Sequence, residues 1–234
     1  MISSIFKQKI SLLILAIVFS AAGFYGCNNS TVTPPPNNTL SLSAIGSLDS
    51  VGDSQNILIL DTVKIMIKDI KLDLETIAED SCDFEIGPFV LFLNLNSSIN
   101  IISSKIIPAG TYGKIKFEIH KLNDNEVVPD PEFADANGRY SVIAKGWYLG
   151  NYFIYKSSKS AHQILHFPNT VPVTSTFFSN ITLIVRPYIW FIKNGAYLDP
   201  RDPANMNDID NNIKDNIKNN FKAFKDDDRN GVPD

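Results

Sequence analysis

The chain has 234 residues, a formal charge of −4 and 44% hydrophobic residues, which is ample for one sizeable core. A mildly acidic chain with no basic cluster argues against nucleic acid as a partner and against electrostatic docking on anionic lipid. Its two cysteines are Cys27 and Cys82, and no internal repeat is visible.

The chain opens with Lys7 and Lys9, an uncharged apolar run from Ile10 to Gly23, and small residues after it. That order is the order of a secretory signal, and the run is shorter than the roughly 20 residues of a spanning helix. Phe24-Tyr25-Gly26-Cys27 resembles the lipobox of bacterial lipoproteins. The resemblance implies removal of residues 1–26 and a lipid on Cys27, which becomes the new N-terminus. Gly26 fits that pattern, whereas Phe24 and Tyr25 depart from it. The same residues admit cleavage after Ser20-Ala21-Ala22, giving a soluble secreted chain, or retention as an uncleaved anchor. With lipid on Cys27, Cys82 has no partner within the chain and is expected as a buried small apolar residue. Without it, the two cysteines could pair in an oxidising compartment.

Residues 28–38, NNSTVTPPPNN, have nothing to bury, and the three prolines favour an extended spacer of about 3.1 Å per residue. A period of two then dominates residues 39–193. Leu40, Leu42 and Ala44 alternate with Ser41 and Ser43, as in a half-buried strand. Val63, Ile65 and Ile67 share one face. After Asp69 the phase flips to Ile70, Leu72 and Leu74, which predicts a β-bulge or bend. Phe89 to Leu95 reads as a buried strand. Ile106 to His120 reads as a hairpin turned at Pro108-Ala109-Gly110. Leu122 to Gly138 is an acidic loop with Asp124, Glu126, Asp130, Glu132 and Asp135, expected to be solvated. Tyr140 to Leu149 and Asn151 to Lys156 form a hairpin around Gly150. Ala161 to Phe167 and Thr174 to Trp190 give two or three more strands, broken at Pro168, Pro172 and Pro187.

The period changes at the end. Ile209, Ile213, Ile217, Phe221 and Phe224 make one apolar stripe of a helix over Ala204 to Phe224, with Asn205 or Asp208 at its start. Its many asparagines make it weak in isolation. The recurring turn signals predict an all-β fold, an antiparallel β-sandwich or a barrel, with one C-terminal amphipathic α-helix. The expected segments are 1–26 signal, 27–38 lipidated cysteine and tether, 39–198 sandwich, and 199–234 helix and acidic tail.

Ile107-Pro108-Ala109-Gly110-Thr111-Tyr112, followed by Lys114-Ile115-Lys116-Phe117, resembles the hairpin of an uncharacterised family of bacterial surface lipoprotein domains. Val63 to Ile70, Gly87-Pro88-Phe89 and Trp190-Phe191 add to the likeness, which covers residues 39–193. The resemblance implies an antiparallel β-sandwich of immunoglobulin/transthyretin-like type with no assigned activity and no catalytic residue.

The best motif for chemistry is Asp226-x-Asp228-x-Asn230-Gly231-Val232-x-Asp234. It resembles the first nine positions of EF-hand-type loops, as in dockerins and thrombospondin type 3 repeats. Oxygens from Asp226, Asp228, Asn230, the Val232 carbonyl and Asp234 suit hard Ca²⁺, with Asp199 or Asp202 available to complete the shell. His162 and His166 would lie about 13 Å apart along a strand, too far to share a metal, and His120 is expected to be exposed. No Ser-His-Asp, Cys-His or paired-carboxylate set, no nucleophile elbow and no phosphate loop is present, so no enzymatic activity is expected. Trp147, Tyr148, Tyr152, Phe153 and Tyr155 crowd one hairpin; some must face the core, and an exposed remainder would suit a sugar or a peptide. Together these features describe a tethered binding domain in the bacterial cell envelope. It would be anchored to the outer membrane through lipid on Cys27, facing the periplasm or the outside, with an unidentified protein or glycan ligand. The alternatives are a subunit of a surface filament or adhesin that assembles by strand addition and, third, a secreted hydrolase.

Overall fold

The computed structural model describes residues 39–46, 57–74, 84–93, 95, 100–107, 109–174, 176 and 178–234. The chain divides into a unit Met1–Pro34 and a unit Pro35–Asp234, and all described residues belong to the second. Its strands are β1 (Thr39–Gly46), β2 (Leu58–Leu74), β3 (Phe84–Ile86), β4 (Phe89–Leu93), β5 (Asn100–Ile106) and β6 (Gly110–Ile119). Then come β7 (Ala134–Asp135), β8 (Gly138–Arg139), β9 (Val142–Tyr148), β10 (Asn151–Ser157) and β11 (Ala161–Val173). The last are β12 (Ser179–Val185), β13 (Ile192–Lys193), β14 (Ala196–Tyr197) and β15 (Lys222–Lys225), with the helix α1 (Met206–Asn220), the one α-helix among the described residues, before β15.

The fold is an all-β sandwich with one C-terminal amphipathic helix. One sheet runs β15-β12-β1-β5. The other is organised by β2, whose Val63, Ile65, Ile67, Ile70 and Leu72 point into the core. Residues 63–65 pair with β4 and β9 at once, and residues 70–72 pair with β3 and β6 at once. β3 and β4 keep one register along β2, so they occupy one side of it, and β9 and β6 follow each other along the other. The handover comes at Met66, where Met66 N donates to Ser141 O and Met66 O accepts from His120 N. A register shift between Ile67 and Asp69 marks the bulge, where the hydrophobic phase flips in the sequence. The result is one bent strand. β10 and β11 repeat the pattern one position out, on β9 and β6.

The pairing differs from the sequence reading at several points. Pro108-Ala109-Gly110 does not close a hairpin. β5 pairs with β1 and β6 with β2, so the turn carries the chain between sheets around buried Ile107. β11 continues through Pro168 and Pro172, because an edge strand can lose ladder donors; a register shift between His166 and Val171 absorbs the irregularity. β1 and β12 are parallel within an otherwise antiparallel set. The helix stops at Asn220, and Phe221 turns extended. Phe224 then belongs to β15, which pairs with β12 and makes the tail an edge of the sandwich. Asn205 makes no side-chain cap bond. The asparagines of α1 serve as brackets. Asn216 Oδ1 accepts from the indole N–H of buried Trp190 at 2.9 Å, and Asn212 donates to the carbonyls of Trp190 and Ile192.

The acidic loop is not merely solvated. Leu122 and Phe133 lie on Met66 and Ile143 and form a second, smaller core on the outer face of β2 and β9. Its acids face lysines of the sheet. Lys64 Nζ meets Asp130 at 2.5 Å and Glu132 at 2.8 Å, Lys145 also pairs with Glu132, and Lys156 meets Asp135 at 2.7 Å. Partial burial pulls the Asp130 carboxyl up. The Lys64 and Glu132 N–H bonds and the lysine charges outweigh it, and the net shift is down. Hydrogen bonds from Lys145 and then Lys64 hold Glu132 below the usual range, and Lys156 holds Asp135 at about 2. Carboxylates depressed on folding stabilise above their unfolded values of 3.8 and 4.5 and lose that contribution as pH falls through the folded ones. Acidification from pH 5 towards 2 is therefore expected to free residues 122–140 before the sandwich unfolds, read as amide exchange of Phe133 and Tyr140 against Ile143. Simultaneous loss at all three would contradict it.

Candidate functional site

The C-terminal motif folds over the outer face of the β1–β12 pair. The alternation of β1 gives Leu40, Leu42 and Ala44 to the core, but Ser41 and Ser43 are fully buried as well, under the tail. They join Asn180, Thr182 and Asp226 in one buried polar cluster. The Asn180 amide bonds Ser41, Ser43 and Thr182 and the Asp226 carbonyl. The Asp226 carboxylate takes the Thr182 hydroxyl at 2.6 Å and the N–H groups of Asn230 and Gly231 at 2.9 and 3.1 Å. Asp228 accepts from Asn230 N and Nδ2, Asn230 Oδ1 from Val232 N, and Asp234 from Asp227 N and Lys225 Nζ. The loop has the turn that a cation loop needs, with its side-chain oxygens aimed at its own N–H groups. Asp199 is engaged by Arg201, and Asp202 by Ala204 N. Among the described residues no group of three or more His, Cys, Asp or Glu is arranged to hold a metal ion. Val232 is exposed.

His162 and His166 are exposed on β11 as a strand reading expects, whereas His120 departs from expectation. His120 is half-buried, with Nδ1 2.7 Å from Ser160 Oγ. The β6–β11 register sets His162 opposite Glu118. Glu118 therefore gathers Lys68 at 3.4 Å, His162 at 3.6 Å and His120 at 4.0 Å. No sequence spacing announces this group, because only the strand pairing creates it. His166 lines an apolar groove of about 500 Å³ with Leu165, Ile184, Phe221 and Phe224, where β11 meets β15.

The aromatic hairpin divides as its alternation requires. Phe153 and Tyr155 are buried, each edge-on to Phe191. The Tyr155 hydroxyl donates to Asp210 at 2.9 Å, and burial with the Asp210 charge raises its pKa. On the other face Ile59, Trp147 and Tyr152 stand in one cross-strand row, with Ile154 beside it. They are 40%, 42%, 48% and 53% exposed, and Leu149 at the tip is 61% exposed. Two features hold the row. The register shift between Leu60 and Thr62 lets the Asp61 carboxylate reach the Trp147 indole N–H at 3.1 Å. Gly146 lets β2 pass close, since a Cβ there would fall 2.0 Å from Ile59 O. Trp147 and Tyr152 meet at 5.2 Å and 67°.

Leu149 holds φ 47° and Gly150 φ 74°, the left-handed pair of a two-residue hairpin turn. That turn makes Tyr148 and Asn151 a hydrogen-bonded pair. By alternation the backbone groups of Tyr152, Ile154 and Lys156 then point away from β9, to the open side of β10. Among the described residues no backbone bond outside the ladders engages them.

Cys27 and Cys82 lie outside the described residues. Among the described residues no helix is long and apolar enough to cross a membrane. No family model, no curated protein and no solved structure matches the chain.

Removing the Asp226 carboxylate strips three donors of their acceptor in a buried site. Asp226→Ala is expected to cost about 2–4 kcal/mol in urea unfolding. Asp228→Ala, at the exposed side of the loop, is expected to cost less than about 1 kcal/mol. Equal losses would show that Asp226 does not fasten the tail.

Proposed function

We propose that this chain is a non-enzymatic binding module of the bacterial cell envelope. It is held to the outer membrane by lipid on Cys27 and takes a macromolecular ligand on the outer face of β2, β9 and β10. The supporting observation is the contiguous exposed row Ile59–Trp147–Tyr152 with Ile154 and Leu149 around it. An apolar patch of this kind on an otherwise polar face marks an interaction site. The 67° between the Trp147 and Tyr152 rings makes a corner and not a flat shelf, which favours a protein surface over a sugar stacked across both rings. The anchor rests on the residues around Cys27, as does membership of a surface lipoprotein family on the Ile107–Tyr112 and neighbouring motifs.

The second reading, a subunit that assembles by strand addition, is favoured by the open backbone groups of β10. Calcium at Asp226, Asp228, Asn230, Val232 and Asp234 belongs to the same proposal as a weak extracellular site. Ca²⁺ at about 1 mM is then expected to raise the melting midpoint of the chain and not that of Asp228→Ala. An unchanged midpoint removes the ion from the account.

Two substitutions test the main reading. Cys27→Ser is expected to abolish incorporation of a labelled fatty acid and to release the chain from membranes. In a Cys82→Ser background, Tyr152→Cys is expected to resist a soluble maleimide in native membranes and to react freely once purified. Val127→Cys, on the exposed loop, should react equally in both. Equal labelling of Tyr152→Cys in both states would overturn the binding face.

A further inference from the structure

We infer that a second copy of the same chain joins this face at its edge, by antiparallel pairing of β10 with β10. The inference rests on the binding-face reading above and names its partner.

The argument starts from how the sheet edges are protected. Natural edge strands are blunted by prolines, bulges, charges or cover. β11 carries Pro168 and Pro172 and a register break. β15 has only four residues, with Lys222 and Lys225 at its ends. Among the described residues β10 has no proline, bulge or segment covering its edge. Its seven residues pair with β9 without a register break, it contains no proline, and its solvent face carries Tyr152 and Ile154. Its one charge, Lys156, is turned to Asp135 at 2.7 Å and to the Tyr140 ring at 4.7 Å.

The register follows from counting hydrogen bonds. The groups free to pair are those of Tyr152, Ile154 and Lys156. A two-fold axis at Ile154 sets Ile154 against its own copy and Tyr152 against Lys156 of the other chain, twice. All three outward residues of each copy then form narrow pairs, giving about six hydrogen bonds. A shift of the axis by one residue leaves either Lys156 or Tyr152 without a partner pair. In the centred register no like charges face each other, and each Lys156 ammonium gains a second ring, the Tyr152 of the other copy, beside Tyr140. The exposed row becomes continuous across the seam, from Ile59 and Trp147 of one copy to those of the other. An isologous contact of this kind closes on itself and yields a dimer.

The exposed side chains involved are few, fewer than cover the roughly 1,000 Å² of a stable soluble interface. Pairing therefore depends on the concentration of copies that anchoring at a membrane supplies. Antiparallel pairing reverses one copy relative to the other. A proline-rich spacer of the length of residues 28–38, if extended at about 3.1 Å per residue, would reach further than the roughly 26 Å of an eight-residue strand such as β1. Neighbours on one membrane are thus able to meet.

The test uses the full lipidated chain in native membranes, in a Cys82→Ser background, under mild oxidation. A narrow antiparallel pair sets Cα atoms about 5.5 Å apart, within disulfide reach. Ile154→Cys is expected to give a disulfide-linked dimer at a yield at least fivefold above Ile164→Cys, which is equally exposed but lies on β11. Tyr152→Cys alone should link poorly, and a mixture of Tyr152→Cys and Lys156→Cys chains should link to each other. Equal yields from Ile154→Cys and Ile164→Cys would overturn the dimer. If Tyr152→Cys is nevertheless shielded from maleimide, a different protein covers the face and only the second copy is refuted. If it is not shielded, the binding face falls too.

Discussion

Strand β2 has to satisfy backbone groups on both sides along 17 residues, and the rest of the molecule follows from how it does so. No single partner strand runs its full length. Its first half pairs with β9 and its second half with β6, and it bends at the bulge between them. The second half builds the sandwich with the β15-β12-β1-β5 sheet. The first half carries a wing of two strands beyond it. The inner side of that wing is sealed by Phe191, Trp190 and α1. Its outer side is covered by the acidic loop over Met66 and Ile143 and at Lys64, Lys145 and Lys156, and beyond that cover the apolar row begins.

Two outer faces are treated in opposite ways. On the β1–β12 pair the polar row Ser41, Ser43, Asn180 and Thr182 is buried and every member finds a partner, because the tail descends on it and Asp226 supplies the acceptor. On the wing an apolar row is left uncovered beside an open strand edge. Burial of polar groups with full hydrogen bonding costs little, whereas an uncovered apolar row next to free backbone donors and acceptors is unstable towards association. The proposed binding face on the wing rests on this contrast, and the tail gains a structural role through Asp226.

The core was legible where burial leaves a local period. Val63 to Leu72, the phase slip near Lys68 and the stripe Ile209–Ile213–Ile217 could all be read from spacing. Pairing partners could not. Pro108-Ala109-Gly110 looks like a hairpin turn whether its flanking strands pair with each other or with different sheets. Phe221 and Phe224 continue a helical period although the chain has already turned extended to meet β12. Ser41 and Ser43 read as solvent-facing because what covers them lies more than a hundred residues later. The aromatic hairpin was legible as a division between core and surface. Which residues were exposed, and that the strand beside them was an edge, depended on the sheet order. The Glu118–His120–His162 group depended on register alone.

The central claim is that β10 is completed by another strand where the protein is at work. The most direct measurement is amide exchange along β10 in the lipidated chain, compared between native membranes and dilute detergent. The account predicts that Phe153 and Tyr155 are slow in both. Tyr152, Ile154 and Lys156 should be fast in detergent and protected in membranes, an alternation that only strand addition produces. Fast exchange of those three amides in both states would contradict it.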